Sequence, residues 1–232
     1  MDILGQALSD FYNRNPQNQL WINTSYGDPE EMPVDVFFRT EEDMPDLELV
    51  ALEHCKGKIL DIGAGAGSHS LLLQENGFDV TALELSSLAC RVMQQRGVTK
   101  VINQDIFTFK KERFDTLLLL MNGIGLCGSI DGLNALLTHL KGILEPGGQI
   151  IFDSSDISYL YEDEENIIKP NGYYGEVSFQ YEYKQMSGEW FKWLYIDKDY
   201  LFKIAQQLDF RAEILFEDDN DQYLVRLSLK LS

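Results

Sequence analysis

One stretch constrains this chain more than any other: Lys58-Ile59-Leu60-Asp61-Ile62-Gly63-Ala64-Gly65-Ala66-Gly67-Ser68-His69. It reads as a buried strand that enters a glycine turn and opens a helix at Ser68. Glycine at alternate positions strips one tight bend of side chains. Without Cβ atoms the backbone reaches positive φ, and a ligand can lie against bare peptide groups. Such a bend belongs at the carboxyl edge of a strand in an open α/β sheet.

The surrounding pattern agrees. Apolar segments at 59–62, 78–83, 101–102, 114–121 and 149–153 alternate with helical periodicity over 68–76, 87–96 and 131–144. Strands alternating with helices predict right-handed βαβ units and a parallel sheet. The segment 114–121 is almost wholly apolar, as for a central strand covered on both faces. The fold class expected is α/β, an open doubly wound, mostly parallel sheet with antiparallel C-terminal strands and an inserted β-hairpin.

Four regions follow. Residues 1–45 carry an N-terminal helix over 1–13, with Ile3, Leu4, Ala7, Leu8, Phe11 and Tyr12 at helical spacing, and then an irregular lid segment over 14–45. Residues 46–155 form the ligand-binding core, opening with a helix over 47–55. Residues 156–197 form an insertion whose two strands each show an aromatic face: Val177, Phe179, Tyr181 and Tyr183, then Phe191, Trp193 and Tyr195. The turn between them is expected near Ser187-Gly188. Residues 198–232 supply a helix over 199–208 and two strands that complete the sheet.

Composition narrows the partners. A formal net charge of −19 repels phosphate backbones and anionic lipid, which disfavours nucleic acid and membrane. Cys55, Cys90 and Cys127 are odd in number and have no redox or metal spacing, and His54, His69 and His139 form no metal pattern. No metal is expected. The N-terminus lacks the basic region of a signal peptide, and no run is long enough to span a bilayer. The expected setting is cytoplasmic.

The bend is not a dinucleotide fingerprint. In G-x-G-x-x-G the last glycine would fall at position 68, which is Ser68. Asp61 stands two places before the first glycine, and a carboxylate there repels a pyrophosphate. It suits a ligand carrying an ammonium group and no phosphate, as S-adenosylmethionine does. Glu84 ends the next strand, where an acid accepts from ribose hydroxyls. Asp105 follows the third, where a carboxylate can accept from an exocyclic amine.

With these residues in register, the chain resembles the class I S-adenosylmethionine-dependent methyltransferases over about residues 50–155. The matching motifs are Asp61-Ile62-Gly63-Ala64-Gly65-Ala66-Gly67, Leu83-Glu84-Leu85-Ser86, Gln104-Asp105-Ile106, Phe114-Asp115 with its apolar strand, and Leu144-Glu145-Pro146-Gly147-Gly148. The resemblance implies a Rossmann-like core with S-adenosylmethionine as cofactor. It implies that Gly63, Ala64 and Gly65 face the cofactor, with Asp61 near its amino group and Glu84 at the ribose. Asp105 with Ile106 would meet the adenine edge, and Leu85 its face. Met121-Asn122-Gly123 lacks the Pro-Pro-aromatic motif of base-amine methylating members. Asn122 would then touch the cofactor's methionine part or orient a substrate.

Two further readings concern the remaining polar groups. Arg39, ahead of the bend, is a candidate partner for the cofactor carboxylate. Asp153, His69 and the hairpin tyrosines are candidate bases, but methyl transfer is an in-line displacement that alignment alone can drive, so no catalytic residue is assigned. The function expected is methyl transfer to a small-molecule substrate. A protein acceptor, a non-catalytic cofactor-binding or interaction module, and a nicotinamide-dependent oxidoreductase are the competing readings.

Overall fold

A computed structural model describes residues 1–15, 18–110, 112–161, 172–219 and 221–229. Part of the expected insertion, residues 162–171, lies outside the described residues. The chain opens with helix α1 (Ile3–Tyr12), whose first turn is capped by the Asp2 carboxylate accepting the Gly5 N–H at 2.9 Å. Two short strands follow, β1 (Leu20–Thr24) and β2 (Glu30–Met32). A 3-10 turn over Val34–Phe38 leads toward helix α2 (Asp46–Glu53).

The βαβ series then begins. It comprises β3 (Lys58–Ile62), α3 (Ser68–Glu75), β4 (Asp79–Glu84), α4 (Ser87–Arg96) and β5 (Val101–Asn103). It continues through β6 (Phe114–Leu119), α5 (Ile130–Ile143) and β7 (Leu144–Ser155). The insertion holds β8 (Glu176–Tyr183), β9 (Met186–Ser187) and β10 (Phe191–Leu194). Helix α6 (Lys198–Gln207), β11 (Phe210–Glu217) and β12 (Gln222–Leu229) close the chain.

The seven-stranded sheet has the order β11-β12-β7-β6-β3-β4-β5. Its five central and right-hand strands pair in parallel, and β12 joins β7 antiparallel. Helices cover both faces. Leu133, Leu136, Leu137 and Leu140 of α5, with Leu201 and Ile204 of α6, pack on one side. Leu47, Ala51 and Leu52 of α2, with Leu73 of α3, pack on the other. The fold class read from the sequence is the one observed, including the antiparallel C-terminal strands.

The segment 14–45 departs from expectation. It is not wholly irregular, because β1 and β2 lie within it. They join a second, antiparallel sheet of order β10-β8-β1-β2, with β9 beside β8. Glu30-Glu31-Met32 has no strand periodicity of its own; pairing with Ile22, Trp21 and Leu20 makes it one. The hairpin turn also moves. Lys184 and Gln185 both take positive φ, 51° and 61°, so the chain reverses there rather than at Ser187-Gly188. Two successive left-handed residues match the right-handed twist of the strands they join.

The central strand is shorter than the apolar run suggests. β6 stops at Leu119, because Met121 and Asn122 swing to φ 60° and 52°. Non-glycine residues in this region cost energy, and such strain concentrates where a site is built. Helix α1 bridges the two sheets. Ile3 and Ala7 pack on Leu20 and Tyr183, while Leu8 packs on Ala89 and Val92 of α4. No helix among the described residues is long and apolar enough to cross a membrane.

Candidate active site

A cavity of about 540 Å³ lies between the carboxyl edges of β3, β4 and β6 and the inner face of the antiparallel sheet. Every residue singled out in the sequence for cofactor binding lines it. The floor is the glycine bend. Gly63 and Gly65 take φ of +75° and +56°, values that a side chain makes strained. A Cβ on Gly63 would meet nothing within 4 Å, so this peptide faces open space. A Cβ on Gly65 would stand 3.3 Å from the Phe37 ring, which walls that side of the bend.

The acids ring the floor. Asp61 is buried beneath the bend and accepts a 2.6 Å hydrogen bond from Ser70 Oγ. Burial pushes its carboxyl up, against the pull of His69 and Ser70. Glu84 accepts from the Gly65 N–H at 3.0 Å with one oxygen and from the Ser86 N–H at 2.8 Å with the other. Desolvation raises its pKa. The carboxylate keeps lone-pair capacity beyond these bonds, so it can still accept from a ligand hydroxyl. Asp105 caps the turn that follows it, accepting from the Phe107 N–H at 2.9 Å. Leu85 is 71% exposed and Phe107 38%, two apolar side chains on the cavity without cover. Ile106 between them is buried.

Arg39 is tied down more firmly than expected. Its guanidinium pairs with Glu48 of α2, and the same carboxylate holds His69 Nε2 at 2.8 Å. Burial lowers the His69 pKa, but the Glu48 hydrogen bond and the charges of Asp61 and Glu48 outweigh it, so the net shift is upward. His69 is thus bonded into an ion network rather than free as a base. Asn122, in the left-handed region, donates its backbone N–H to Asp153 at 2.8 Å. Asp153 sits behind it, fully enclosed, and burial lifts its pKa to about 6.

Polar atoms left unpaired cluster here. Four buried side-chain atoms of the described residues lack a hydrogen-bond partner, and three of them are Arg39 Nε, Asn122 Oδ1 and Asp153 Oδ1. Buried polar groups are normally satisfied, so a group of exceptions at and behind one cavity suits a site that takes a polar ligand. Together with the bare face at Gly63 and the uncovered Leu85 and Phe107, these atoms make the cavity fit a nucleoside with an amino-acid tail.

Several residues in or behind the cavity wall have no recognised role in the sequence. Glu48 sits in an ordinary helical acid pattern, and nothing local marks it as the partner of Arg39 and His69. Phe107 was signalled only by its place two residues after Asp105. The roof brings Ile22, Glu30 and Met32 from β1 and β2 beside Phe179, Tyr181, Phe191, Trp193 and Tyr195. Phe179, Tyr181, Phe191, Trp193 and Tyr195 therefore line the cavity, while Val177 and Tyr183 of the same faces pack in buried clusters.

An open, mostly parallel sheet with an acid-ringed glycine bend defines the class: an adenosyl-cofactor enzyme of Rossmann-like fold. Residues 38–211 match a family model described as a methyltransferase domain. A solved S-adenosylmethionine-dependent methyltransferase from Bacteroides fragilis, in complex with S-adenosyl-L-homocysteine, is 41% identical. That match covers 99% of this chain and 95% of the other, with a TM-score of 0.92. A glycine/sarcosine N-methyltransferase from Aphanothece halophytica is 23% identical over 74% of this chain and 76% of its own length. A sugar N-methyltransferase from a Streptoalloteichus species shares the fold at 15% identity and a TM-score of 0.59, over 88% of this chain and 96% of its own. The chain belongs to the S-adenosylmethionine-dependent methyltransferases of class I. Its cofactor is S-adenosylmethionine, which supplies an electrophilic methyl group on a positively charged sulfur when bound.

Proposed function

We propose that the chain methylates a small-molecule acceptor held between the glycine bend and the aromatic sheet. The observation that carries this is the roof: a second sheet covers the cofactor floor, and the cavity between them is about 540 Å³. Small-molecule sites fall in this size range, mostly apolar with a few convergent polar groups. Glycine, sarcosine and sugars, for which two similar enzymes are named, are of the same scale, which supports the reading.

In this proposal Gly63, Ala64 and Gly65 take the tail of the cofactor against bare backbone, and Asp61 meets its amino group. Arg39, oriented by Glu48, turns its unpaired Nε toward the carboxylate. Glu84 accepts from the ribose hydroxyls, Asp105 accepts from the adenine amine, and Leu85 with Ile106 packs its faces. Asn122 marks the border between cofactor and acceptor. The roof excludes water and aligns the acceptor, which supplies the entropic share of the barrier reduction.

Labelled S-adenosylmethionine incubated with enzyme and whole-cell extract tests the acceptor class. Label in the soluble metabolite fraction is the expected result, and label confined to precipitated protein overturns the reading. Calorimetry with S-adenosylhomocysteine tests the floor: Asp61→Ala and Glu84→Ala are each expected to weaken binding at least tenfold, and wild-type affinity in both would remove those assignments.

A further inference from the structure

Given the small-molecule reading above, the chemistry of the acceptor follows from the roof and the rim. Phe179 sits edge-on to Tyr26 at 6.2 Å, Phe191 at 6.1 Å and Tyr195 at 6.4 Å, and Phe191 meets Trp193 edge-on at 6.1 Å. The rings buttress one another and line one end of the cavity. Tyr26, Tyr181 and Tyr195 line it as well, and none of their hydroxyls has a hydrogen bond to a described residue. Burial raises all three phenols, Tyr181 and Tyr195 to about 12, so they stay protonated and neutral.

Charge decides between acceptor types. The cavity is lined by the carboxylates of Glu30, Asp61, Glu84 and Asp105. Arg39 is the one Lys or Arg among the described lining residues, and Glu48 already pairs it. A carboxylate or phosphate acceptor would meet net repulsion here. An alcohol would need a base near the transfer point. The imidazole of His69 is bonded to Glu48, and the phenols hold their protons. An ammonium ion, in contrast, meets aromatic rings, three unpaired hydroxyl oxygens and the exposed Glu30 carboxylate.

We propose that the acceptor is an amine, captured as its ammonium ion between the rings of Tyr26, Phe191, Trp193 and Tyr195 with Glu30 at the rim. The ammonium releases one proton to solvent by way of Glu30. The freed nitrogen lone pair then forms the new N–C bond as the C–S bond breaks, its electron pair remaining on sulfur. The positive charge passes from sulfur to the methylated nitrogen, and a neutral thioether is left. No other co-reactant is required.

The test uses the enzyme saturated with S-adenosylhomocysteine and three probes on one phenethyl frame, followed by calorimetry. The probes are the phenethyltrimethylammonium ion, 2-phenylethanol and 3-phenylpropanoate. The ammonium is expected to bind at least tenfold more tightly than the other two. Glu30→Gln and Trp193→Leu should each weaken it about tenfold, on the scale of a desolvated cation–ring contact. S-adenosylhomocysteine affinity within twofold of wild type in both variants shows that they are folded. Equal binding of the alcohol or the carboxylate, or no ammonium binding by enzyme that binds S-adenosylhomocysteine, overturns the amine assignment. So does an ammonium affinity that neither variant changes. Labelling of precipitated protein is a separate result, because it removes the small-molecule reading itself.

Discussion

The floor and the roof of the cavity differ in how far apart in the chain their parts lie. Asp61, Glu84 and Asp105 come from three successive strand ends, and their hydrogen bonds run to backbone or hydroxyl groups close by in the fold. The roof is assembled over long range: Asn23 and Gln180, 157 residues apart, are hydrogen-bonded across β1 and β8. The floor is polar and its acids are engaged. The roof is aromatic and its hydroxyls are free. A cofactor shared by a whole family needs the first kind of surface, and a particular acceptor needs the second. The two ends should therefore respond separately to mutation.

The largest separation is expected at Gly63. Valine there must adopt φ near +75° and would push its methyls into open cavity. A left-handed β-branched residue costs about 1–2 kcal/mol by itself. Calorimetry should show a loss of S-adenosylhomocysteine affinity beyond a hundredfold, while near-ultraviolet circular dichroism of the roof aromatics stays as in wild type. Retained affinity within tenfold would show that the bare bend does not hold the ligand.

Glu48→Ala comes next. It leaves Arg39 and His69 without their shared carboxylate inside the protein. Breaking a buried ion pair from one side costs about 3 kcal/mol or more. In a domain of this size that is a Tm lower by about 6–12 °C, read by thermal unfolding. S-adenosylhomocysteine affinity should drop with it, since Arg39 loses the group that orients it. An unchanged Tm would mean that solvent already satisfies the network.

The same contrast explains what could be read without a structure. The floor was legible because its information is local: a strand, three glycines, and an acid at each following strand end. The parallel sheet and its helices were legible through periodicity. β1 and β2 were not, since five and three residues hold too little pattern and β8, the strand that ties β1 into its sheet, lies beyond residue 175. For the same reason the aromatic face of 177–195 was visible while its destination was not. Glu48 was hidden because a helical acid that reaches a buried arginine looks, in sequence, like one that faces water.

Asp153 offers a pH-dependent test behind the border residue Asn122. Its carboxyl titrates at about 6 in the fold against an ordinary 3.8, because burial penalises the charged form. The folded state therefore binds the extra proton between these values. The stability this group contributes is complete below pH 3.8 and is lost as pH rises through 6. Asparagine has no proton to lose. It can accept the Asn122 N–H with its oxygen and place its amide nitrogen where Oδ1 has no partner. Asp153→Asn should gain about 1–3 kcal/mol relative to wild type between pH 4 and pH 7.5, measured by urea unfolding at each pH. A difference that does not change with pH would mean that Asp153 stays ionised throughout.

The smallest effect on the floor, and the sharpest on the roof, is expected from Gly125→Ala. The added Cβ would fall 2.1 Å from Trp193 Nε1 and 2.5 Å from Cδ1 and Cε2, so the indole has to swing away. Gly125 keeps negative φ, so alanine adds no backbone strain. The cost is one overpacked contact, about 1 kcal/mol. Tryptophan emission should shift, and the affinity for the phenethyltrimethylammonium probe should fall about tenfold. S-adenosylhomocysteine binding should stay within twofold, because Asp61, Glu84 and Asp105 are held by Ser70, Gly65, Ser86 and Phe107 rather than by the indole. If cofactor binding falls in parallel with probe binding, floor and roof are one cooperative unit. Acceptor choice could then not be altered without disturbing the cofactor.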